Sequence, residues 1–140
     1  VGQHTSIRSL PISRVMTKAV RTAPADATLE EIGRLLVTEG CHHVPIVDDD
    51  GRPIGMVSSR DVVDALRARG VKTLSADEAR EVTAGEVMTS ELETIYDDHA
   101  IELAIDRIGR GDIHALVVLD HDDGLAGIVT HRDLLRYLLS

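Results

Sequence analysis

The chain writes one phrase twice. "GMVSSRDVVDAL" occupies residues 55–66 and "GIVTHRDLLRYL" residues 127–138, with Gly, Val, Arg, Asp and Leu at the same places. Asp61 and Asp133 stand 72 positions apart, and the same step carries Val15-Met16-Thr17 onto Val87-Met88-Thr89, Thr22 onto Thr94, Asp26 onto Asp98, His42 onto His114 and Asp48 onto Asp120. A repeat of this length constrains the fold more than any local motif, because each copy must carry the same supersecondary unit. The copies run over 12–69 and 84–140, with 70–83 as a linker. A unit this short buries too little of its own surface to be secure alone, so the two are expected to pack as one module.

Within a copy the hydrophobic period changes in a fixed order. A short amphipathic turn, "ISRVMT" or "AGEVMT", leads into a brief extended stretch, "AVRTA" or "LETI". A helix follows; in the first copy Thr28 and Glu31 make a capping-box pattern, and Leu29, Ile32, Leu35 and Leu36 fall on one face. Two strands come next, "HHVPIVD" and "PIGMVS" or "HALVVLD" and "LAGIVT", joined by the turns "DDDG" and "DHDDG". The turn glycine is displaced by one between copies, Gly124 against Gly51. A closing helix is expected from about Arg60 to Arg69 and from Arg132 to Leu139. The order β-α-β-β-α places the chain in the α/β (α+β) class. A right-handed crossover makes the first two strands parallel, and the tight turn makes the last two antiparallel. The linker is expected to hold a short helix behind a Ser75 to Glu78 capping pattern. Residues 1–11 read as a disordered or appended segment, and a chain opening on Val1 is expected to be a fragment or a processed product.

Composition narrows what such a module can do. The hydrophobic share of 43% is enough for a core, but with no Phe or Trp and only Tyr96 and Tyr137 it must be aliphatic, and there is no aromatic platform for stacking bases. A net charge of −9 works against generic binding to a nucleic acid polymer or an anionic membrane, yet leaves room for a small anion where a few Arg or His converge. Cys41 is the single cysteine, so no internal disulfide forms. No apolar run approaches the eighteen or so residues of a membrane span, and the start does not read as a signal peptide. A cytoplasmic protein is expected.

The repeated phrase admits two readings. Ser58 and Thr130 stand where a strand becomes a helix, so each can cap the helix, with Asp61 or Asp133 at the third helical position reaching back. A helix amino terminus also presents free N–H groups and the positive end of its dipole, which suits phosphate. Ser58 or Thr130 adds a hydroxyl there, and Arg60, Arg132 and His131 add cationic groups. A carboxylate one turn into the helix repels phosphate, but it can accept hydrogen bonds from the vicinal hydroxyls of a ribose. Gly55 and Gly127 let a ligand or a neighbouring backbone come close.

The order of elements, the "GMVSSRD" and "GIVTHRD" phrases, the "VMT" leads and the "HHVPIVDDDG" strand and turn resemble a tandem pair of CBS domains, the cystathionine-beta-synthase domain fold or Bateman module. The resemblance runs from Ile12 onward. It implies two copies packed through their sheets about a pseudo-twofold axis, clefts between them that take AMP, ADP, ATP, S-adenosylmethionine or an NAD-like compound, assembly into a homodimer, and a regulatory sensor with no catalysis of its own. It implies no obligatory cofactor, and a regulated enzyme or transporter as partner. Carried over by position, Asp61 and Asp133 take the ribose hydroxyls, while Ser58, Arg60, Thr130, His131 and Arg132 lie near phosphate. Thr22, His42, His43, Val44 and Pro45, and in the second copy Thr94, His114, Ala115 and Leu116, line the base pocket. The copies depart from each other at Val44-Pro45 against Leu116-Val117, and at Ser59 against His131, so the two clefts are expected to differ.

Rival signals are weaker. A ligand-free dimerisation module is the first alternative. A metal-binding stress protein is the second, resting on Cys41, His42 and His43 with His114 and His131; adjacent strand residues face opposite ways, so only Cys41 and His43 act together locally. The acidic turns lack the alternating oxygen spacing of a calcium loop. Cys41 beside His42 is adjacency in sequence and makes no nucleophile and base pair, so no enzyme is expected.

Overall fold

The computed structural model describes residues 9–68, 76–111 and 113–139. The chain divides into two compact units, one of Val1–Val20 with Glu93–Ser140 and the other of Arg21–Leu92. Repeats and units are therefore offset: the opening of each copy is built into the unit that carries the other copy's last strand.

In the unit Arg21–Leu92, helix α1 (Leu29–Thr38) starts at Thr28, whose hydroxyl accepts from the Glu31 N–H at 3.2 Å. Its buried Leu29 and Ile32, with Leu35 and Leu36 partly buried, form the face that the spacing predicts. Strands β1 (His43–Val47) and β2 (Pro53–Ser58) pair antiparallel, and α2 (Ser59–Ala68) leaves β2 without a gap. Helix α3 (Ala76–Glu81) is the linker helix; Ser75, expected to cap it, lies outside the described residues. It docks on α1 through Arg80, whose Nε donates to Glu30 Oε2 at 2.7 Å; Arg80 first, then Arg34, hold the Glu30 carboxyl below its ordinary range. The turn α4 (Ala84–Val87) follows, its Ala84 N–H bonded to Ala27 O at 2.8 Å.

The other unit repeats the pattern with β3 (Thr94–Tyr96), α5 (Ile101–Gly109), β4 (Ala115–Leu119), β5 (Leu125–Thr130) and α6 (His131–Leu139). Here β3 pairs parallel with β4, and β4 antiparallel with β5. Of the segment 1–11, residues 1–8 lie outside the described residues, but 9–11 belong to the fold: Pro11 bridges Ala100 and Leu10 O accepts the Ile101 N–H at 2.8 Å.

The first copy lacks a counterpart to β3, and proline explains it. Val117 N donates to Glu93 O at 2.9 Å, whereas the matching residue in the first copy is Pro45, which has no N–H to give. Only an isolated parallel bridge between Ala23 and Ile46 remains. The displaced turn glycine, by contrast, displaces nothing. Gly51 adopts φ of +80°, and its counterpart with φ of +63° is Asp123, not Gly124; aspartate tolerates that region better than most side chains. Asp48 and Asp120 organise the two turns alike, each accepting two main-chain N–H groups at 2.9 Å.

The "VMT" leads are where the offset is made. Thr17 exchanges both main-chain hydrogen bonds with Ile128 (2.8 and 3.1 Å), and Thr89 does the same with Met56 (2.9 and 3.0 Å). Ile12 and Val15 are buried in the core with Ile95, Leu116 and Val129, and a wholly buried Ile contributes about 2 kcal/mol of transfer free energy. Each lead lies so close to the last strand that a side chain beneath it would force a shift. A Cβ on Gly127 would stand 2.6 Å from Thr17 O and 3.0 Å from Met16 Sδ; one on Gly55 would stand 2.3 Å from Met88 Sδ. The close approach that the glycines allow is thus to a neighbouring segment of chain.

The obstacle at Gly127 is main chain and at Gly55 a flexible thioether, which sets an order of effects. Gly127→Ala is expected to lower stability in urea unfolding by about 2 kcal/mol, the cost of overpacking, and Gly55→Ala by less. Equal losses would mean that Met88 is as fixed as the Thr17 backbone.

Candidate functional site

Both copies build the same device at the strand to helix junction, and the capping reading is realised in each. The Ser58 N–H and hydroxyl donate to Asp61 Oδ2 at 2.8 and 3.0 Å, while the Asp61 N–H donates to Ser58 Oγ at 3.1 Å. At the second junction the Thr130 N–H and hydroxyl donate to Asp133 Oδ2 at 2.9 and 3.1 Å, with a longer return bond of 3.4 Å from the Asp133 N–H. The aspartate arm is long enough for the box in both copies.

The box uses one carboxylate oxygen, and the copies differ in the other. Asp133 Oδ1 accepts from the Thr17 hydroxyl at 2.7 Å and stands 3.5 Å from the Arg136 guanidinium. Asp133 is the buried charged residue of the described core, 4% exposed. Asp61 is half-buried, and its Oδ1 has no hydrogen-bond or ion-pair partner among the described residues. Where α6 has Arg136, α2 has Asp64, which faces Arg60 at 3.8 Å.

The remaining predicted residues gather around these junctions to different degrees. His43 pairs with Ser58 across the β1–β2 ladder, and His42 O accepts the Ser59 N–H at 3.1 Å, so both histidines stand beside the α2 start. Ala115 pairs with Thr130, and the His114 and His131 rings lie 6.5 Å apart, a pair that Ser59 denies the first copy. Arg60 and Arg132 are exposed. Thr94 sits opposite Val117 in the parallel ladder, held by Arg107, whose Nη1 donates to Thr94 O. Thr22 lies exposed next to the Ala23 bridge. Val44 and Leu116 are wholly buried and Pro45 is buried, so Val44 and Leu116 face the two apolar cores and can meet a ligand only through their main chain.

Within their own unit, Cys41, His42 and His43 do not converge as a metal-binding group among the described residues. The Cys41 thiol donates to Leu35 O at 3.7 Å. The three metal-ligating side chains that do converge among the described residues are Asp97, Asp98 and His121, on the surface. The residues that sequence reasoning overlooked are Thr17 and Arg136. The repeated "VMT" was the available signal for Thr17, and the exchange of Asp64 for Arg136 was the signal for the second.

The family described as CBS domain matches residues 12–68 and again 84–140. Among curated proteins the chain is 29% identical over 123 residues to a homoserine O-acetyltransferase of Methanosarcina acetivorans, covering 88% of this chain and 21% of that one. It is 26% identical over 125 residues to an L-aspartate semialdehyde sulfurtransferase of Methanocaldococcus jannaschii, covering 89% and 22%. The chain thus spans about a fifth of the length of these relatives. Among solved structures it superposes on the CBS domain pair of protein MJ0100 in complex with 5'-methylthioadenosine and S-adenosyl-L-methionine, with a TM-score of 0.77, 24% identity, and coverage of 93% and 96%. CBSX2 in complex with AMP gives 0.77 at 23% identity, covering 93% and 96%. A putative acetoin utilization protein of Vibrio cholerae gives 0.80 at 25%, covering 94% and 91%.

The unequal engagement of the two carboxylates predicts unequal effects on folding. Asp133→Ala removes a buried carboxylate that accepts from the Thr130 N–H and hydroxyl and from the Thr17 hydroxyl, and is expected to cost about 2 kcal/mol in urea unfolding. Asp61→Ala, losing a half-exposed cap, is expected to cost about 1 kcal/mol. A larger loss at Asp61 would contradict the geometry.

Proposed function

The chain belongs to the CBS domain family, and on that premise we propose that it is a regulatory module that binds an adenine nucleotide or another adenosyl compound and catalyses no reaction of its own. One observation carries the reading: Asp61 presents an unengaged carboxylate oxygen at the amino terminus of a ten-residue helix. That oxygen has lone pairs for the vicinal hydroxyls of a ribose. In this reading the exposed Arg60 and the positive end of the α2 dipole serve the phosphate, and His42 and His43, which stand beside the α2 start, serve the base. Structures of the same fold whose names include AMP, 5'-methylthioadenosine and S-adenosyl-L-methionine support the ligand class. In the relatives that carry enzyme names, three quarters or more of the length lies outside the part this chain spans, and we assign their chemistry to that remainder.

Regulation requires that the ligand favour one state of the protein over another, since equal affinity for both shifts nothing. Among the described residues no helix is long and apolar enough to cross a membrane, and a chain whose one cysteine is free accords with the cytoplasm. The second copy's α5 and α6 leave Ile105, Leu135 and Leu138 exposed, a surface fitted to self-association.

Thermal-shift titrations with AMP, ATP, S-adenosylmethionine and NAD test the ligand reading. A compound at a hundred times its dissociation constant is expected to add about 2.7 kcal/mol of stability, and silence from all four would overturn the reading. Light scattering on the purified chain is expected to give a dimer that Leu135→Glu with Leu138→Glu converts to a monomer; an unchanged mass would remove α6 from the interface.

A further inference from the structure

The two junctions match in backbone and differ in what holds the carboxylate. Thr17 and Thr89 occupy equivalent seats, each bonded twice to the last strand of its unit. Thr17 donates its hydroxyl to Asp133 Oδ1 at 2.7 Å, while the Thr89 hydroxyl makes no such bond to Asp61 among the described residues. The second difference is written in the sequence. One turn into the helix, Asp133 meets Arg136, whereas Asp61 meets Asp64. Asp133 is thereby bonded on both oxygens and buried, and Asp61 is bonded on one and only half-buried.

A hydroxyl donated to a carboxylate oxygen is what a ribose would offer the same atom. We propose that Thr17 is an internal occupant of the Asp133 site: it takes the place of a ligand hydroxyl, so that an adenosyl compound fills the Asp61 site first and reaches Asp133 only by displacing Thr17. This deepens the binding function proposed above and rests on it. Because Thr17 belongs to the lead segment seated on β5, filling the second site removes a side-chain tie from that lead while its two main-chain bonds remain. The first site has no such tie to break. Two binding events of one chain would therefore differ in consequence as well as in strength. Occupancy of Asp61 leaves the lead alone, and occupancy of Asp133 loosens it.

Calorimetric titration of the whole chain with AMP, and separately with S-adenosylmethionine, decides the matter. The expected result is one tight event per chain and a second at least tenfold weaker. Asp61→Ala should abolish the tight event and leave the weak one. Thr17→Val, which keeps the backbone bridge and deletes the hydroxyl, should tighten the weak event about fivefold, the loss of one competing hydrogen bond, and leave the tight one unchanged. Thr17→Ser, which restores the hydroxyl, should behave as the parent chain. Two events of equal strength, loss of the tight event through Asp133→Ala in place of Asp61→Ala, or a weak event indifferent to Thr17→Val would each overturn the inference while leaving the binding function standing. No heat with either compound, in the parent and in Thr17→Val alike, would overturn both.

Discussion

The contact on which the rest depends is the seat of each "VMT" lead over a glycine in a last strand. Thr17 on Ile128 and Thr89 on Met56 each make two main-chain hydrogen bonds, and the glycine beside each allows an approach that a Cβ would obstruct, by main chain at Gly127 and by the Met88 side chain at Gly55. From this close approach follow the offset between repeat and compact unit, the burial of Ile12 and Val15 in a core otherwise made by the second copy, and the placing of a lead residue within reach of Asp133. A short copy that cannot enclose its own apolar surface gains part of its core from a segment its twin supplies.

The aspartate of the repeated phrase serves structure and chemistry with different atoms. Oδ2 closes the helix cap in both copies, so the capping and ligand readings were never exclusive. Oδ1 is what distinguishes the copies. A cap also fixes the rotamer of the carboxylate, and a fixed acceptor loses little freedom when a ribose arrives. The same geometry that stabilises the helix therefore prepares Asp61 for a ligand, and in the second copy the preparation is already satisfied from within.

Much of this was legible in the sequence, and the parts that were not have physical reasons. The 72-residue step revealed the repeat, and period changes within it revealed the elements, because helix and strand leave different spacings of apolar residues. Pro45 was visible, but its consequence was not, since the donor it lacks matters only once β1 has a parallel neighbour. The displacement of Gly124 against Gly51 has no counterpart in the backbone: a turn is held by its backbone conformation, and Asp123 takes the left-handed position that Gly51 holds in the first copy. The bond between Thr17 and Asp133 joins residues 116 positions apart, and no local pattern encodes such a meeting. Gly55 and Gly127 gave the hint that something approaches closely there, without saying that it was chain and not ligand.

The most direct test is an amide-resolved NMR titration of the chain with AMP. Perturbations concentrated at Ser58, Ser59, Arg60 and Asp61, saturating together before those at Thr130 to Asp133 begin, are the predicted result. Perturbations absent from residues 58–61 at saturation, with binding evident elsewhere, would contradict it.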